Sequence, residues 1–272
     1  MIAQSLYPAI YKRKSFHRFN DIGNETISTE EQMEIKDAYR HFSALRPDIK
    51  TAIRIVPAEK TTCRRGEEYC ILLYSEKKEH YLQNIGYIGE QLDLYLTLKN
   101  IGTLWFGIGK TEESQYENLD FVIMLAVKKI TDETKFRKDM FKSKRKPVDE
   151  IWFGECMKGI TDIVRFAPSA CNTQPWMVEH TGSILKVYRY KKPGKRGIMP
   201  ADKVSFYNQI DMGIFLCFLE LCLIHEGISY EVELKHDAGS DDEKTLFAVY
   251  KLQDTCRCAK KEVLYGRIIE TS

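Results

Sequence analysis

A dense group of cationic and hydroxyl side chains lies near the start of the chain, in the segment KRKSFHRF at residues 12–19. Its guanidinium groups can pair with two phosphate oxygens at once, and a hydroxyl with the local backbone amides adds further hydrogen bonds. The segment is therefore a candidate phosphate site. Taken alone, the signal is weak, because a basic cluster is more often a solvated turn.

A second polar segment, RFAPSACNTQPW, occupies residues 165–176. The residue before a proline disfavours the helical conformation, so a helix should end before Pro168. Ser169 and Asn172 carry short polar side chains that also bend the backbone into local turns. Such a loop can present side chains and amides to a polar ligand. The alternative is a plain helix-to-strand loop in which Trp176 fills the core.

A third segment, KSKRKP at residues 142–147, concentrates cations beside Pro147. It ends the charged stretch 128–146, which lies between two more apolar parts of the chain. A run of charges is usually a solvated linker. The residues by themselves do not decide between a linker and part of a site.

Capping residues and hydrophobic periodicity predict the elements that would position these segments. Ser28 with Glu31, and Thr29 with Gln32, form two candidate capping boxes for a helix that begins near residue 28. Further helices are predicted over residues 85–100, 149–165 and 209–226, with Asp149 as an N-cap and with Gly102 and Gly227 as stops. Strands are predicted at residues 121–127, 230–234 and 246–252.

The composition is that of an ordinary globular protein, with 272 residues, 43% hydrophobic and 29% charged. A net charge of +2 is too small to argue for a nucleic-acid or membrane partner. The N-terminus carries charges where a secretory signal has its apolar core. The most apolar run, residues 214–224, has about half the length of a bilayer span and contains Glu220. We therefore expect a buried helix there and a cytoplasmic protein.

The sequence has eight cysteines, whose spacing does not predict a metal site. Cys256 and Cys258 form a single C-x-C pair, and no second pair follows at a zinc-site distance. Cys217 and Cys222 lie in the apolar run. We therefore expect buried free thiols, because a free cysteine behaves as a small hydrophobic residue.

Two separate segments of the chain repeat at one offset of 125 residues. Ile35, Asp37 and Arg40 match Ile160, Asp162 and Arg165, and Ile85, Leu96, Leu98 and Gly102 match Ile210, Leu221, Leu223 and Gly227. A shared offset across two segments predicts an internal duplication. The alternative is that two amphipathic helices resemble each other by chance.

Four segments together resemble the motifs of the FMN-dependent nitroreductase family. KRKSFHRF resembles the opening R-R-S-x-R-x-F motif, and RFAPSACNTQPW resembles the A-P-S-x-x-N-x-Q-P-W motif. IGTLWFG resembles the G-L-G-T-x-W-x-G motif, and KRKPVDEI resembles the terminal R-K-P segment. The resemblance covers residues 5 to 235 in pieces. The order differs, because in the family the A-P-S motif precedes the G-T-x-W and R-K-P motifs.

The family is homodimeric, with each FMN at the interface between two subunits, and this chain resembles a fused, diverged dimer. The first half, residues 1–147, keeps the R-K-S, GTLWFG and RKP segments, and the second half, residues 148–272, keeps the A-P-S loop. The first-half counterpart of that loop, SALRPDIKT at residues 43–51, has lost the motif. The second half has ISYEVE in place of TLWFG, and its end, KEVLYGRIIETS, has no R-K-P.

The fused-dimer resemblance implies an α+β fold in which each half has an antiparallel-rich sheet flanked by helices. The halves would pack as an internal pseudo-dimer around one composite flavin site, so the chain could be a monomer.

The resemblance also assigns roles to residues. Arg13, Ser15 and Arg145 resemble the family's contacts with the flavin phosphate and ribityl chain, and Ser169 and Asn172 resemble those from the partner subunit. His17 stands where the family has Arg or Lys near the flavin pyrimidine edge, so Lys14 or Arg18 would substitute as the cation. The implied cofactor-binding residues are Arg13, Lys14, Ser15, His17, Trp105, Phe106, Gly107, Arg145, Pro168, Ser169, Ala170, Asn172 and Gln174.

The implied activity is an FMN-dependent oxidoreductase that takes reducing equivalents from NAD(P)H and passes them to an electron-poor small molecule, nitroaromatic or quinone-like. The flavin carries this chemistry, so no catalytic side chain is expected. Two alternatives remain: a related flavin chemistry, such as reductive dehalogenation or flavin destruction, and an FMN-binding protein without enzymatic activity.

Overall fold

The structure is a computed structural model that describes residues 2–20, 22–23, 25–190, 197–237 and 243–253. The Cys256–Cys258 pair and the terminal segment KEVLYGRIIETS lie outside the described residues.

Five α-helices and ten β-strands occur in the described part of the chain. The helices are α1 (Ala9–Lys12), α2 (Thr29–His41), α3 (Tyr81–Leu98), α4 (Thr161–Val164) and α5 (Val204–His225). The strands are β1 (Thr51–Pro57), β2 (Tyr69–Ser75), β3 (Ile101–Phe106), β4 (Gln115–Tyr116), β5 (Leu119–Lys129), β6 (Trp152–Gly154), β7 (Trp176–Thr181), β8 (Ile184–Tyr190), β9 (Ser229–Leu234) and β10 (Lys244–Gln253).

The strands form two sheets of similar plan. The first has the order β1-β2-β5-β3, with β4 paired to β5, and the second has the order β6-β7-β8-β10-β9. Every pairing is antiparallel except that of β6 with β7. Four strands of each sheet share one plan: two precede a long helix (β1 and β2 before α3, β7 and β8 before α5) and two follow it (β3 and β5, β9 and β10). In both sheets the last of these four strands lies between the second and the third. The expected α+β fold with two antiparallel-rich sheets is confirmed.

Helices α3 and α5 pack against each other at very short range. A Cβ atom built on Gly86 would lie 2.0 Å from the carbonyl oxygen of Ile210, and one built on Gly213 would lie 1.9 Å from the carbonyl oxygen of Gln83. Both contacts are with backbone atoms, which cannot move aside without shifting a helix. The two glycines therefore set the separation of the helices.

The stretch Ala201–His225, which contains α5, is by length and composition apolar enough to cross a membrane. However, 83% of its most apolar window is buried inside the protein. The prediction of a buried helix over residues 214–224 is confirmed.

The ends of two predicted helices show which residues determine where each helix begins or stops. Ser28 accepts a hydrogen bond from the backbone N–H of Glu31, whose carboxylate accepts one from the backbone N–H of Ser28, so the first capping box is confirmed. Thr29 is instead the first residue of α2. Helix α3 ends before Asn100, which has a φ of 58°. The prediction of Gly102 as the stop was wrong, because Asn100 adopts the left-handed conformation and Gly102 lies in β3.

The prediction of a helix over residues 149–165 was wrong, and so was that of Asp149 as its N-cap. A single turn at Val148–Glu150 is followed by β6, and only Thr161–Val164 are α-helical. Gly154 and Gly159 have φ values of 90° and 79°, which interrupt a right-handed helix. Residues 152–154 form β6 and pair with β7 instead.

Candidate functional site

A cavity of about 250 Å³ lies where four parts of the chain meet: the N-terminal segment, the end of β3, the loop before β7 and one face of α5. Most of its lining side chains are apolar. Eight of the residues predicted from the sequence line it: Ser15, His17, Trp105, Phe106, Gly107, Pro168, Ser169 and Ala170. The cavity thus brings together three of the motifs, from both halves of the sequence.

The N-terminal segment reaches the cavity because it follows the edge of β3. Ser15 pairs with Thr103 in a parallel bridge, and the backbone N–H of Phe16 donates to the carbonyl oxygen of Thr103 at 2.9 Å. This pairing places Ser15 and His17 at the cavity. Lys14 is not among the lining residues, because its Nζ donates to the carbonyl oxygen of Lys135 at 2.8 Å.

Arg13 lies behind the cavity wall in a buried ion pair. Its Nε lies 2.8 Å from Oδ2 of Asp93 and 3.4 Å from Oε1 of Glu90. Its Nη2 donates to the hydroxyl of Ser15 at 3.2 Å, and the indole N–H of Trp105 lies 3.1 Å from both acids. Burial and the neighbouring Asp93 raise the pKa of Glu90. Arg13 therefore orients Ser15 and, through the acids, Trp105.

Three other arginines lie close enough to Arg145 to interact with it electrostatically. Burial, with Arg137, Arg13 and Arg165 nearby, lowers the pKa of Arg145 to about 10. Burial, with Arg13 nearby, lowers the pKa of Arg137 to about 10 as well. The Nε atoms of Arg145 and Arg165 are buried and form no hydrogen bond. Arg145 and Arg165 therefore each have a donor to spare, and a bound phosphate would relieve the repulsion that helps to lower the pKa of Arg145.

The segment around Arg145 is joined to the loop before β7 by side-chain hydrogen bonds. Nη1 of Arg145 donates to Oδ1 of Asn172 at 2.9 Å, and the backbone N–H of Lys146 donates to Oε1 of Gln174 at 2.8 Å. Two motifs that the sequence assigns to one site are therefore in contact. Asn172 and Gln174 do not line the cavity themselves, because their side chains are directed at residues 144–146.

The loop before β7 has an unusual backbone. Cys171, Asn172 and Gln174 have φ values of 50°, 55° and 50°, each of which costs a residue other than glycine on the order of 1–3 kcal/mol. The conformation is held by the backbone N–H of Gln174, which donates to the hydroxyl of Ser169 at 2.9 Å. Backbone strain of this kind is concentrated at functional sites.

Asp211 on α5 is the most distinctive polar group in the cavity, and sequence reasoning missed it. Its Oδ1 accepts a hydrogen bond from the backbone N–H of Ala170 at 2.9 Å, whereas its Oδ2 is buried and has no partner. Burial raises its pKa from 3.8 to about 8. The available signal was a lone carboxylate at the start of a long apolar run.

Two further cavity residues were also missed. The hydroxyl of Tyr207 donates to the carbonyl oxygen of Gly107 at 2.9 Å, and a Cβ atom on Gly107 would lie 2.6 Å from the tyrosine ring. The guanidinium of Arg65 lies 5.8 Å from the centroid of the Phe106 ring. Both come from elements distant in sequence from the motifs, so only the fold reveals them.

A protein-family model described as putative TM nitroreductase matches residues 5–223. The chain belongs to this family. It is therefore a nitroreductase-family oxidoreductase, as the four motifs predicted. No curated protein matches the sequence.

Solved structures of nitroreductases resemble this family member. A putative nitroreductase from Thermotoga maritima is 18% identical with a TM-score of 0.58, and the match covers 91% of this chain and 92% of that one. This likeness supports the nitroreductase-like fold. A putative nitroreductase from Desulfovibrio desulfuricans, in complex with FMN, is 17% identical with a TM-score of 0.41 over 56% of this chain and 97% of that one.

Proposed function

We propose that the chain binds FMN and transfers reducing equivalents from NAD(P)H to an electron-poor small molecule, such as a nitroaromatic or a quinone. The observation that carries the proposal is a mostly apolar cavity beside a group of half-buried arginines. The loop before β7 belongs to both: Ser169 lines the cavity, and Asn172 binds Arg145. This combination suits a ligand with a planar aromatic ring system and a phosphate group.

The polar atoms around the cavity that have no hydrogen-bond partner match the polar groups of FMN. The free Nε atoms of Arg145 and Arg165 would donate to the phosphate, and their repulsion would be relieved by its charge. Oδ2 of Asp211, buried in the cavity wall without a partner, would meet a polar edge of the ring system. Trp105 and Phe106 would line its face.

FMN, when bound, supplies the redox chemistry, and the chain's own residues bind and orient it. Ser15, whose hydroxyl accepts a hydrogen bond from Arg13, would hydrogen-bond the cofactor. His17 lies at the cavity, where it would act near the electron-rich edge of the ring either as a cation or through a neutral N–H. Tyr207 lines the cavity and fixes the backbone of Gly107 through its hydroxyl.

We further propose that the chain is an internal duplication, with halves at residues 1–147 and 148–272. Strands β1 and β7 begin 125 residues apart (176 − 51), and so do β5 and β10 (244 − 119). These are the same offset that the sequence repeat predicts. The matching strand orders of the two sheets support the same conclusion.

The counterpart loop in the first half supports a single flavin site. Residues 43–50 precede β1 as the A-P-S loop precedes β7. The backbone N–H of Arg46 donates to Oδ1 of Asn84 on α3 at 2.9 Å, and Ser43 and Gln91 exchange two hydrogen bonds. This loop is held against α3 by its own contacts and lacks the Asn and Gln of the motif. We therefore propose one FMN per chain, bound in cis.

The activity is tested with protein reconstituted with FMN. NADH or NADPH should be oxidised at steady state at a rate that rises with the concentration of a nitroaromatic or a quinone. Protein stripped of FMN, assayed in parallel, should be inactive. Binding of FMN without turnover would favour an FMN-binding protein without activity, and failure to bind FMN would overturn the whole proposal.

A further inference from the structure

Three side chains that commonly bind metals converge beside the first sheet, outside the cavity. Cys70 lies in β2, and Cys63 and Glu67 lie in the loop between β1 and β2. The two sulfur atoms and a carboxylate oxygen of Glu67 all lie within 4.8 Å of one another. Both cysteines are fully buried. Two soft ligands and one hard ligand thus meet in the protein interior.

Glu67 supplies an independent indication that a ligand belongs there. Only 9% of the residue is exposed. Its Oε2 accepts a hydrogen bond from the backbone N–H of Arg65 at 2.6 Å, but its Oε1 is buried and forms no hydrogen bond. A buried carboxylate oxygen without a partner is unfavourable. A cation between this oxygen and the two sulfurs would satisfy it.

The ligand types indicate which ion fits. Thiolates favour soft and borderline metals, and Zn²⁺ accepts a mixture of Cys sulfur and Glu oxygen. Zinc–ligand distances of about 2.0–2.3 Å place neighbouring tetrahedral ligands roughly 3.3–3.8 Å apart. Because the three ligand atoms already lie within 4.8 Å of one another, each pair would need to close by at most about 1.5 Å. Three anionic ligands exceed the charge of a divalent ion by one. Arg64, whose Nη1 donates to the carbonyl oxygens of Thr61 and Cys63, supplies the balancing cation.

We propose that Cys63, Glu67 and Cys70 bind one zinc-class divalent cation, with water as the fourth ligand, and that the ion fixes the loop carrying Arg65 at the cavity. Arg65 lines the cavity and lies over the Phe106 ring. Its neighbour Glu67 would be a ligand of the ion, so the ion and Arg65 are tied to the same short segment. The cysteine spacing did not predict a metal site here, because six residues separate Cys63 from Cys70 and the third ligand is a glutamate.

A Cys63–Cys70 disulfide is the competing state of this cluster. A disulfide would consume both sulfurs and leave Oε1 of Glu67 buried without a partner. A bound cation uses all three groups. The unpartnered oxygen therefore favours the ion.

Metal binding is tested by titrating the full chain, purified in reductant and dialysed free of metal, with Zn²⁺ and with Co²⁺ as a spectroscopic probe. We expect one ion per chain and thiolate-to-cobalt charge-transfer absorption. Glu67→Gln, which is nearly isosteric, and Cys70→Ser should each weaken binding at least tenfold. Cys156→Ser removes an exposed thiol outside the cluster and should bind like the wild type.

The effect on the loop is tested by limited trypsin cleavage after Arg64 and Arg65. Zn²⁺ should slow this cleavage several-fold in the wild type and leave Glu67→Gln unaffected. Absence of bound Zn²⁺, or equal affinity in Glu67→Gln, would overturn the site. A disulfide between Cys63 and Cys70 would also overturn it. Mass spectrometry would show this as a wild-type chain lighter by two hydrogens, with the peptides that contain the two cysteines cross-linked. Zinc binding without protection from trypsin would overturn the proposed role in fixing the loop.

Discussion

Asp211 should make the free energy of unfolding fall as the pH rises. Burial raises its pKa from 3.8 to about 8, so between these values the folded protein keeps a proton that the unfolded chain has released. Rising pH then favours the unfolded state, and stability declines from pH 3.8 until it levels off above about pH 8. Each pKa unit corresponds to about 1.4 kcal/mol, so this group lowers the free energy of unfolding by roughly 3 kcal/mol between pH 5 and pH 7.

The measurement is urea unfolding of FMN-free wild type and Asp211→Asn at several pH values in that range. The variant removes the titrating group and keeps an acceptor for the N–H of Ala170. The difference between the two proteins isolates Asp211, because all other titrating groups are common to both. Asp202→Asn, at a side chain that is 74% exposed, is the matched control and should parallel the wild type. A difference between wild type and Asp211→Asn that stays constant with pH would refute the reasoning, since Asp211 would then be ionised when folded.

Three further outcomes are expected. Arg145→Ala should weaken FMN binding by about 1.5–3 kcal/mol through the loss of a charge-assisted hydrogen bond, whereas Lys142→Ala, at a side chain that is 85% exposed, should not; equal affinities by fluorescence titration would remove Arg145 from the phosphate site. Turnover should follow ping-pong kinetics, because one flavin must serve both substrates; intersecting initial-rate plots at several acceptor concentrations would contradict this. Gly213→Val should destabilise the protein by about 1–3 kcal/mol or more in urea unfolding, because its side chain meets the backbone of α3, whereas Val at the exposed Lys36 should change little; similar stabilities would show that the helices can separate.

The resemblance of four segments to nitroreductase motifs predicted the fold class and the parts of the chain that line the cavity, and local signals predicted single elements. Helix α5 follows from an apolar run, and the A-P-S loop follows from prolines and short polar residues. The prediction of a helix over residues 149–165 was wrong, because two glycines with positive φ interrupt the segment and part of it pairs with β7. These two effects outweighed the helical spacing of its hydrophobic residues. Pairing of this kind is decided by tertiary contacts, which periodicity does not register.

The missed site residues were beyond sequence reasoning for a related reason. Asp211 and Tyr207 reach the cavity from one face of α5, and Arg65 reaches it from the loop before β2. None of these residues lies in one of the four motifs, so the sequence does not indicate that they converge on the cavity. In contrast, Ser15 and Ser169 were predicted because each stands within a recognisable polar segment. The direct contacts with the cofactor remain predictions.

The most direct test of the central claim, a single flavin site completed in cis, is the ratio of FMN to polypeptide in the reconstituted protein. FMN released by heat would be quantified against the protein, and light scattering would give the mass of the same sample. The account predicts one FMN per chain, retained in a species with the mass of one chain. Two FMN per chain, or a site that forms only when a second polypeptide supplies Ser169 and Asn172, would contradict it.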